Sequence, residues 1–513
     1  MVKRLSLAYS AELEGVDAKL ISIETDISVG LSVFNIIGLA DKSLNEAKER
    51  INPALKNCGF TPPISNNLRI TVNLAPADIK KTGTQYDLAM AVGYLISSGQ
   101  IKPTINLKDF LLLGELSLDG GLRPVRGVLN IVSYAKEIGF RRIVIPEGNL
   151  GEASLIKGIE IIGVANLNQV GEFLNGAKIE NRIPETKERE KRSDFDFYDI
   201  RGHESAKRSL MVAAAGGHNV IMIGPPGSGK TALAKCFLSI TPDLIEEEII
   251  ETSKNWSAAG ELNERRPFIT ERPFRSPHHT ASAAAVIGGG SVPKPGEISL
   301  AHNGVLFLDE LPEFRRDILE SLRTPMENGA VTVARQNKTL VFPARFQLIS
   351  AMNPCPCGYF GDNEKQCECL SKDIMRYQRK ISGPLMDRID IQITVPRLKL
   401  SALQDADRGK TSEEMRRLVV QAREFARKRF KERGMMISSN SEMNSKQCDA
   451  HSLISSEAND FLRGVFDRSF ISGRGYYRIL KVARTVADME FSEEIKVDHL
   501  AEAFQYRLKN EFD

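Results

Sequence analysis

The stretch Val220-Ile-Met-Ile-Gly-Pro-Pro-Gly-Ser-Gly-Lys-Thr231 decides how the rest of the chain is read. Its first four residues form an apolar run bounded by a turn signal, the pattern of a buried strand. After the turn, Ala232-Leu-Ala-Lys-Cys-Phe237 opens a helix. Between them Gly224, Pro225, Pro226, Gly227, Ser228, Gly229, Lys230 and Thr231 satisfy G-x-x-x-x-G-K-S/T in the strand–loop–helix setting that gives this pattern its meaning. The glycines let successive N–H groups curl around phosphate oxygens, and the helix N-terminus adds a dipole of the right sign. Lys230 brings positive charge to the β- and γ-phosphates, and the Thr231 hydroxyl suits Mg²⁺. A chance glycine loop has no reason to be framed by a strand and a helix. The expected ligands are ATP and Mg²⁺.

Two further apolar runs end in polar residues. Gly304-Val-Leu-Phe-Leu leads into Asp309 and Glu310, and Phe346-Gln-Leu-Ile-Ser-Ala-Met352 leads into Asn353. Behind a complete phosphate loop, Asp309 is expected in the Mg²⁺ shell and Glu310 as the base that orients and deprotonates the attacking water. Asn353 either senses the γ-phosphate or simply opens the Asn353-Pro354 turn.

The order phosphate loop, Asp-Glu strand, Asn-tipped strand resembles that of the AAA+ ATPases. Phe274-Arg-Ser-Pro-His-His-Thr280, Ile287-Gly-Gly-Gly-Ser291, Pro295-Gly-Glu-Ile-Ser-Leu-Ala-His-Asn-Gly304 and Ile381-Ser-Gly-Pro-Leu-Met-Asp-Arg-Ile-Asp-Ile391 are similar to the magnesium-chelatase-like ATPases of the YifB/ComM family, and the likeness runs over essentially the whole chain. His203 stands where that family usually has Gln. The resemblance implies a homo-hexameric ring with ATP between subunits and an arginine finger supplied in trans. Arg388 matches the finger position; the alternative is an intrachain partner of Asp387 or Asp390. It also implies a C-terminal helical lid in Ser472-Gly-Arg-Gly-Tyr-Tyr-Arg478 and onward, with Arg474 as second sensor and Arg478, one turn later, as the alternative. The implied activity is branch migration or translocation on single-stranded or branched DNA, in recombination or natural transformation and alongside recombination proteins. A chelatase-type motor that remodels a partner protein is the alternative.

The wider composition is consistent with this. A chain of 513 residues holds roughly three domains, and 42% hydrophobic residues supply ordinary cores. No window approaches the ~20 apolar residues of a membrane span. A formal charge of +3 is nearly neutral, so any nucleic-acid surface has to be local. Seven cysteines, four of them between Cys355 and Cys369, suit a reducing, cytoplasmic setting better than a disulfide framework.

The expected fold class is multidomain α/β, with an N-terminal α+β domain over 1–178, a charged linker over 179–197, an AAA+ core over 198–398 and a helical lid over 399–513. In the first domain, Leu68–Leu74, Arg142–Pro146 and Ile159–Val164 read as strands, and Leu111–Leu118 with Gly121–Pro124 reads as a hairpin turning at Asp119-Gly120. Asn73-Leu-Ala-Pro-Ala-Asp-Ile-Lys-Lys81, Tyr86-Asp-Leu-Ala-Met-Ala-Val92 and Gly114–Gly127 resemble the ribosomal-S5-like proteolytic domain of Lon proteases. Laid on that pattern, the serine slot falls at or beside Gln85 and the lysine slot at Leu129, and neither side chain can perform the chemistry. A non-proteolytic module follows, serving assembly, nucleic-acid contact or a purely structural cap.

Three appendages mark the core. Residues 257–297, rich in Gly, Ala and Pro, read as an insertion protruding into the ring's pore, and the neighbouring His278 and His279 lack the further ligands that a metal site needs. Gly329–Phe342 reads as a β-hairpin whose tip carries Arg335 and Lys338, either to DNA phosphates or as incidental solvated charge. Cys355, Cys357, Cys367 and Cys369 supply four thiolates in one short loop, enough for tetrahedral Zn²⁺; the alternative is unligated thiols. In the lid, Thr411-Ser-Glu-Glu414 reads as a capping box opening an amphipathic helix. Its face with Arg416, Arg417, Arg423, Arg427, Lys428, Arg429 and Lys431 is solvated or contacts nucleic acid, and 435–450 reads as a polar loop.

Overall fold

The computed structural model describes residues 5–39, 41–65, 67–181, 195–290, 293–335, 338–362, 364–398, 409–466 and 472–507, with only the backbone at Arg335 and Lys338.

The N-terminal segment is built on two sheets. The strands Leu5–Glu14 and Asp17–Val29 form a long antiparallel ribbon, extended by Leu68–Ala75 and then by Val33–Ile37, which runs parallel to it. The helix Asp87–Ser97 lies across the first two strands with ten of its residues buried. A second, parallel sheet joins Phe110–Leu112, Arg142–Pro146 and Glu160–Val164. The expected hairpin shrinks to Glu115–Leu116 paired with Leu122–Arg123, because the residues before it join the parallel sheet instead.

The middle of the chain is built on a five-stranded parallel sheet in the order Phe274–Arg275, Val305–Leu308, Gln347–Met352, Val220–Ile223, Ile391–Thr394. Two of its strands, Val220–Ile223 and Val305–Leu308, are uninterrupted apolar runs because both faces of the sheet are covered. Val220, Met222, Val305 and Phe307 face one core, and Ile221, Leu306 and Leu308 face the other. The first of these cores is continuous with the lid: Met415, Val419, Ile479, Leu480 and Ala483 pack into it through the helix Glu204–Gly216. Sheet and lid therefore share one apolar interior.

Four expectations change. Residues 182–194 of the charged stretch lie outside the described residues, and its end is not solvated: Phe197 is fully buried, with its N–H donating to Ser412 Oγ. The stretch 257–297 is not one protruding loop. Ile269, Val286 and Ile298 are buried, and Phe274–Arg275 forms the sheet's edge strand. Residues 435–450 contain a helix, Ser445–His451, because Asn444 and Gln447 close a capping box. The basic face of the helix Ser412–Glu432 is partly consumed within the chain. Arg416 pairs with Asp243, Arg423 donates to the Ala214 carbonyl, and Arg429 pairs with Asp488. No described helix is long and apolar enough to cross a membrane.

Candidate functional site

A parallel sheet gathers whatever its loops carry at the C-terminal ends of its strands. Here three adjacent strands bring Gly224–Thr231, Asp309–Glu310 and Asn353 to one place. The loop's path depends on glycine: Gly227 and Gly229 hold φ of 76° and 88°, and a Cβ on Gly224 would sit 2.1 Å from the Val395 carbonyl. Lys230 begins the helix Lys230–Cys236, and its Nζ donates to the carbonyls of Gly224 (2.7 Å) and Pro225 (2.8 Å) and to Asn353 Oδ1 (3.3 Å). Burial pushes this ammonium down to about 8, opposed by the charge of Asp309.

Thr231 Oγ1 donates to Asp309 Oδ2 at 2.8 Å, so two oxygens suited to Mg²⁺ already lie side by side. Asp309 Oδ1 accepts the N–H of Glu310 at 3.0 Å. Glu310 has φ 52°, a costly conformation for a glutamate, and its carboxylate is more than half exposed. It faces His279, whose Nδ1 lies 3.4 Å away and whose ring packs against His278 and the edge of Phe314. His203, with its ring beside Gly229, is held below the usual histidine range by burial and by Lys207.

The three candidate arginines lie elsewhere. Arg388 pairs with Glu327 and donates to the Pro384 carbonyl at 2.6 Å, so its carboxylate partner is neither Asp387 nor Asp390. Arg474 is exposed on the first turn of the helix Gly473–Met489. Arg478 is turned toward Asp390 at 3.9 Å. Arg335 and Lys338 are paired across the hairpin formed by Ala330–Arg335 and Lys338–Pro343, and Gln336 and Asn337 lie outside the described residues.

The four thiols of Cys355, Cys357, Cys367 and Cys369 all lie within 4.8 Å of one another, a cluster that sequence spacing alone leaves open. Cys355 is 3.4 Å from Cys357 and 3.7 Å from Cys367, and Cys357 is 3.6 Å from Cys367. A tetrahedral Zn²⁺ with bonds of about 2.3 Å spaces its sulfurs by about 3.8 Å, so the donor set fits. Backbone N–H groups of Phe360, Cys357 and Cys369 point at sulfurs of the cluster, as thiolates require. Burial raises the Cys357 thiol, but N–H groups of Tyr359 and Glu368 and the neighbouring thiols outweigh it and bring it down to about 6.

The two protease slots are closed. Gln85 Nε2 donates to the Thr82 carbonyl (2.9 Å) and Glu12 (3.4 Å), and Leu129 is fully buried. The Leu129 N–H donates to Glu152, which in turn accepts from Ser257 in the middle of the chain. The lysine slot thus sits where the N-terminal segment docks.

Three family models match along the chain: magnesium chelatase subunit ChlI over 196–403, a ChlI segment over 23–149, and the ChlI C-terminal domain over 409–507. Competence protein ComM of Haemophilus influenzae is 42% identical over 98% of this chain and 97% of its own length. The uncharacterized protein YifB of Escherichia coli K12 is 38% identical over 98% of this chain and 97% of its own. The magnesium-chelatase 67 kDa subunit of Chlorobaculum tepidum is 29% identical over 31% of this chain. With a phosphate loop, paired acids and an asparagine converging at the ends of one parallel sheet, and full-length identity at this level, the chain belongs to the YifB/ComM family of magnesium-chelatase-like AAA+ ATPases.

Proposed function

We propose that this protein is an ATP-hydrolysing motor that assembles as a hexameric ring and moves on single-stranded or branched DNA in recombination or natural transformation. The observation that carries the hydrolytic part is the hydrogen-bonded convergence of Lys230 with Asn353 and of Thr231 with Asp309, with Glu310 exposed beside them. When bound, ATP with Mg²⁺ supplies the phosphoanhydride and a metal that draws charge from it. Phosphate oxygens compete with the Gly224 and Pro225 carbonyls for the Lys230 ammonium, while Thr231 and Asp309 hold the metal side. Glu310 takes the proton of the attacking water, a step worth roughly 10²–10⁴-fold. Arg388 leaves Glu327 to reach the nucleotide of a neighbouring subunit, and Arg474 closes the lid over it.

DNA as the track is supported by ComM being named a competence protein and by the hairpin that ends in Arg335 and Lys338. The four-cysteine cluster is proposed to hold a structural Zn²⁺, and the cytoplasm is the proposed compartment. Likeness to a magnesium-chelatase subunit over part of the chain favours a second reading, a motor that remodels a protein client.

The test is ATPase rate with and without branched DNA at low salt, with Lys230→Ala as the blank. Stimulation that falls when Arg335 and Lys338 are both replaced by alanine supports the DNA track. A rate indifferent to every DNA tried moves the assignment to a protein client.

A further inference from the structure

The loop that leaves the sensor strand folds back onto the phosphate loop. Gly358, between the first pair of cysteines and the second, has φ 86°, and a Cβ there would sit 2.5 Å from Pro226 Cδ and 3.8 Å from the Asn353 side chain. Its bare backbone therefore lies flat against the phosphate-loop proline. The next residue, Tyr359, presents its ring to the Lys365 ammonium at 4.1 Å and to the Arg397 guanidinium at 5.7 Å. Arg397 in turn donates from Nη2 to the Pro226 carbonyl at 3.3 Å. Pro226 is thus gripped on its ring side by the cysteine loop and on its carbonyl side by an arginine seated on that same loop. Two residues before Cys355, Asn353 accepts from Lys230.

Between Cys355 and Cys369 no helix or strand is formed among the described residues. The loop is held by turn hydrogen bonds, such as those from the Gly358 N–H to the Cys355 carbonyl and from the Asp362 N–H to the Tyr359 carbonyl, and by the thiol cluster that ties its two ends together. Ordering such a segment costs conformational entropy, which four metal–sulfur bonds offset more fully than four unligated cysteines.

We infer that the cysteine loop is a metal-dependent clamp on the phosphate loop, so that Zn²⁺ at Cys355, Cys357, Cys367 and Cys369 and nucleotide at Gly224–Thr231 stabilise one another. The inference rests on the zinc reading above and adds a coupling to it. Coupling between two sites is reciprocal: the factor by which zinc tightens nucleotide is the factor by which nucleotide tightens zinc, typically about 5–150-fold.

The experiment follows, at equilibrium, how zinc partitions between the full-length protein and a competing chromophoric chelator, so that release reads affinity, with and without a non-hydrolysable ATP analogue and Mg²⁺. Zinc content is measured first. The expected results are about one ion per chain, an apparent zinc affinity raised at least about fivefold by nucleotide, and no such gain in Lys230→Ala. Arg397→Ala and Tyr359→Ala should start with the same zinc content yet lose the protection. Protein without zinc at the outset would overturn the zinc reading and the clamp with it. One zinc per chain whose release ignores nucleotide would overturn the clamp alone. Protection that survives in Arg397→Ala and Tyr359→Ala would overturn the proposed path.

Discussion

Lys230 is an ammonium buried among carbonyls, and the cost of that burial is visible in its depressed pKa of about 8. Phosphate binds the cationic form, so the sign of the pH dependence follows. Below pH 8 the free protein already carries the charge. Above it, binding must take up a proton, and affinity for a non-hydrolysable ATP analogue should fall by up to about tenfold per pH unit. Fluorescent-nucleotide titrations between pH 7 and 9.5 read this directly, and a flat profile would refute it. Glu310 makes the opposite case: it is exposed, strained in φ and touched by His279, none of which binding ATP requires. Glu310→Gln should retain nucleotide affinity and lose turnover by roughly 10²-fold or more. Unchanged turnover would remove the assigned base.

The helix Gly473–Met489 shows how a lid is held by buried charge. Asp488 is buried and accepts from Arg429 and from Arg484, and Arg484 also donates to the carbonyls of Glu493 and Ser492. Burial lowers the Arg484 guanidinium from its usual range, and the charge of Asp488 opposes that shift. Removing the acid strands two cations. Asp488→Ala should destabilise the lid by about 3–5 kcal/mol, measured as a shift in denaturant midpoint with the slope unchanged. A shift smaller than a surface substitution gives would mean that the network relaxes into water. The basic face of the helix Ser412–Glu432 illustrates the limit of pattern reading. Spacing marks its cations as one face, but whether each meets DNA, water or a chain carbonyl depends on what lies opposite, and Arg423 meets Ala214.

The five-stranded sheet and the C-terminal helices share one core, and the N-terminal segment is attached to both the helix Glu246–Ala259 and the hairpin. Gly127 donates to the Ser257 carbonyl at 3.0 Å, Glu152 accepts from Ser257, and the Gly15 turn packs against Leu340 and Phe342. In a ring with shared sites, one subunit supplies the phosphate loop and its neighbour the finger. Arg388→Ala and Lys230→Ala should each be inactive alone, yet a mixture of the two should regain part of the ATPase rate. No recovery on mixing, with both variants folded and able to exchange subunits, would place Arg388 in its own chain's structure beside Glu327.

The phosphate loop, the acid pair and the asparagine could be picked out of the chain because each is local. Gly224–Thr231 is a single turn between a strand and a helix, and Asp309–Glu310 and Asn353 each end an apolar run, so neighbouring backbone geometry already fixes what those residues present. The four cysteines were visible as a short loop, but their convergence within 4.8 Å was not. The contacts that tune the site join distant residues: Arg397 with Pro226 across 171 positions and Ser257 with Glu152 across 105, along with His279 on Glu310 and Arg388 on Glu327. Such pairs exist only after strands have taken their order and cores have packed, because side chains so far apart in the chain have no local geometry in common.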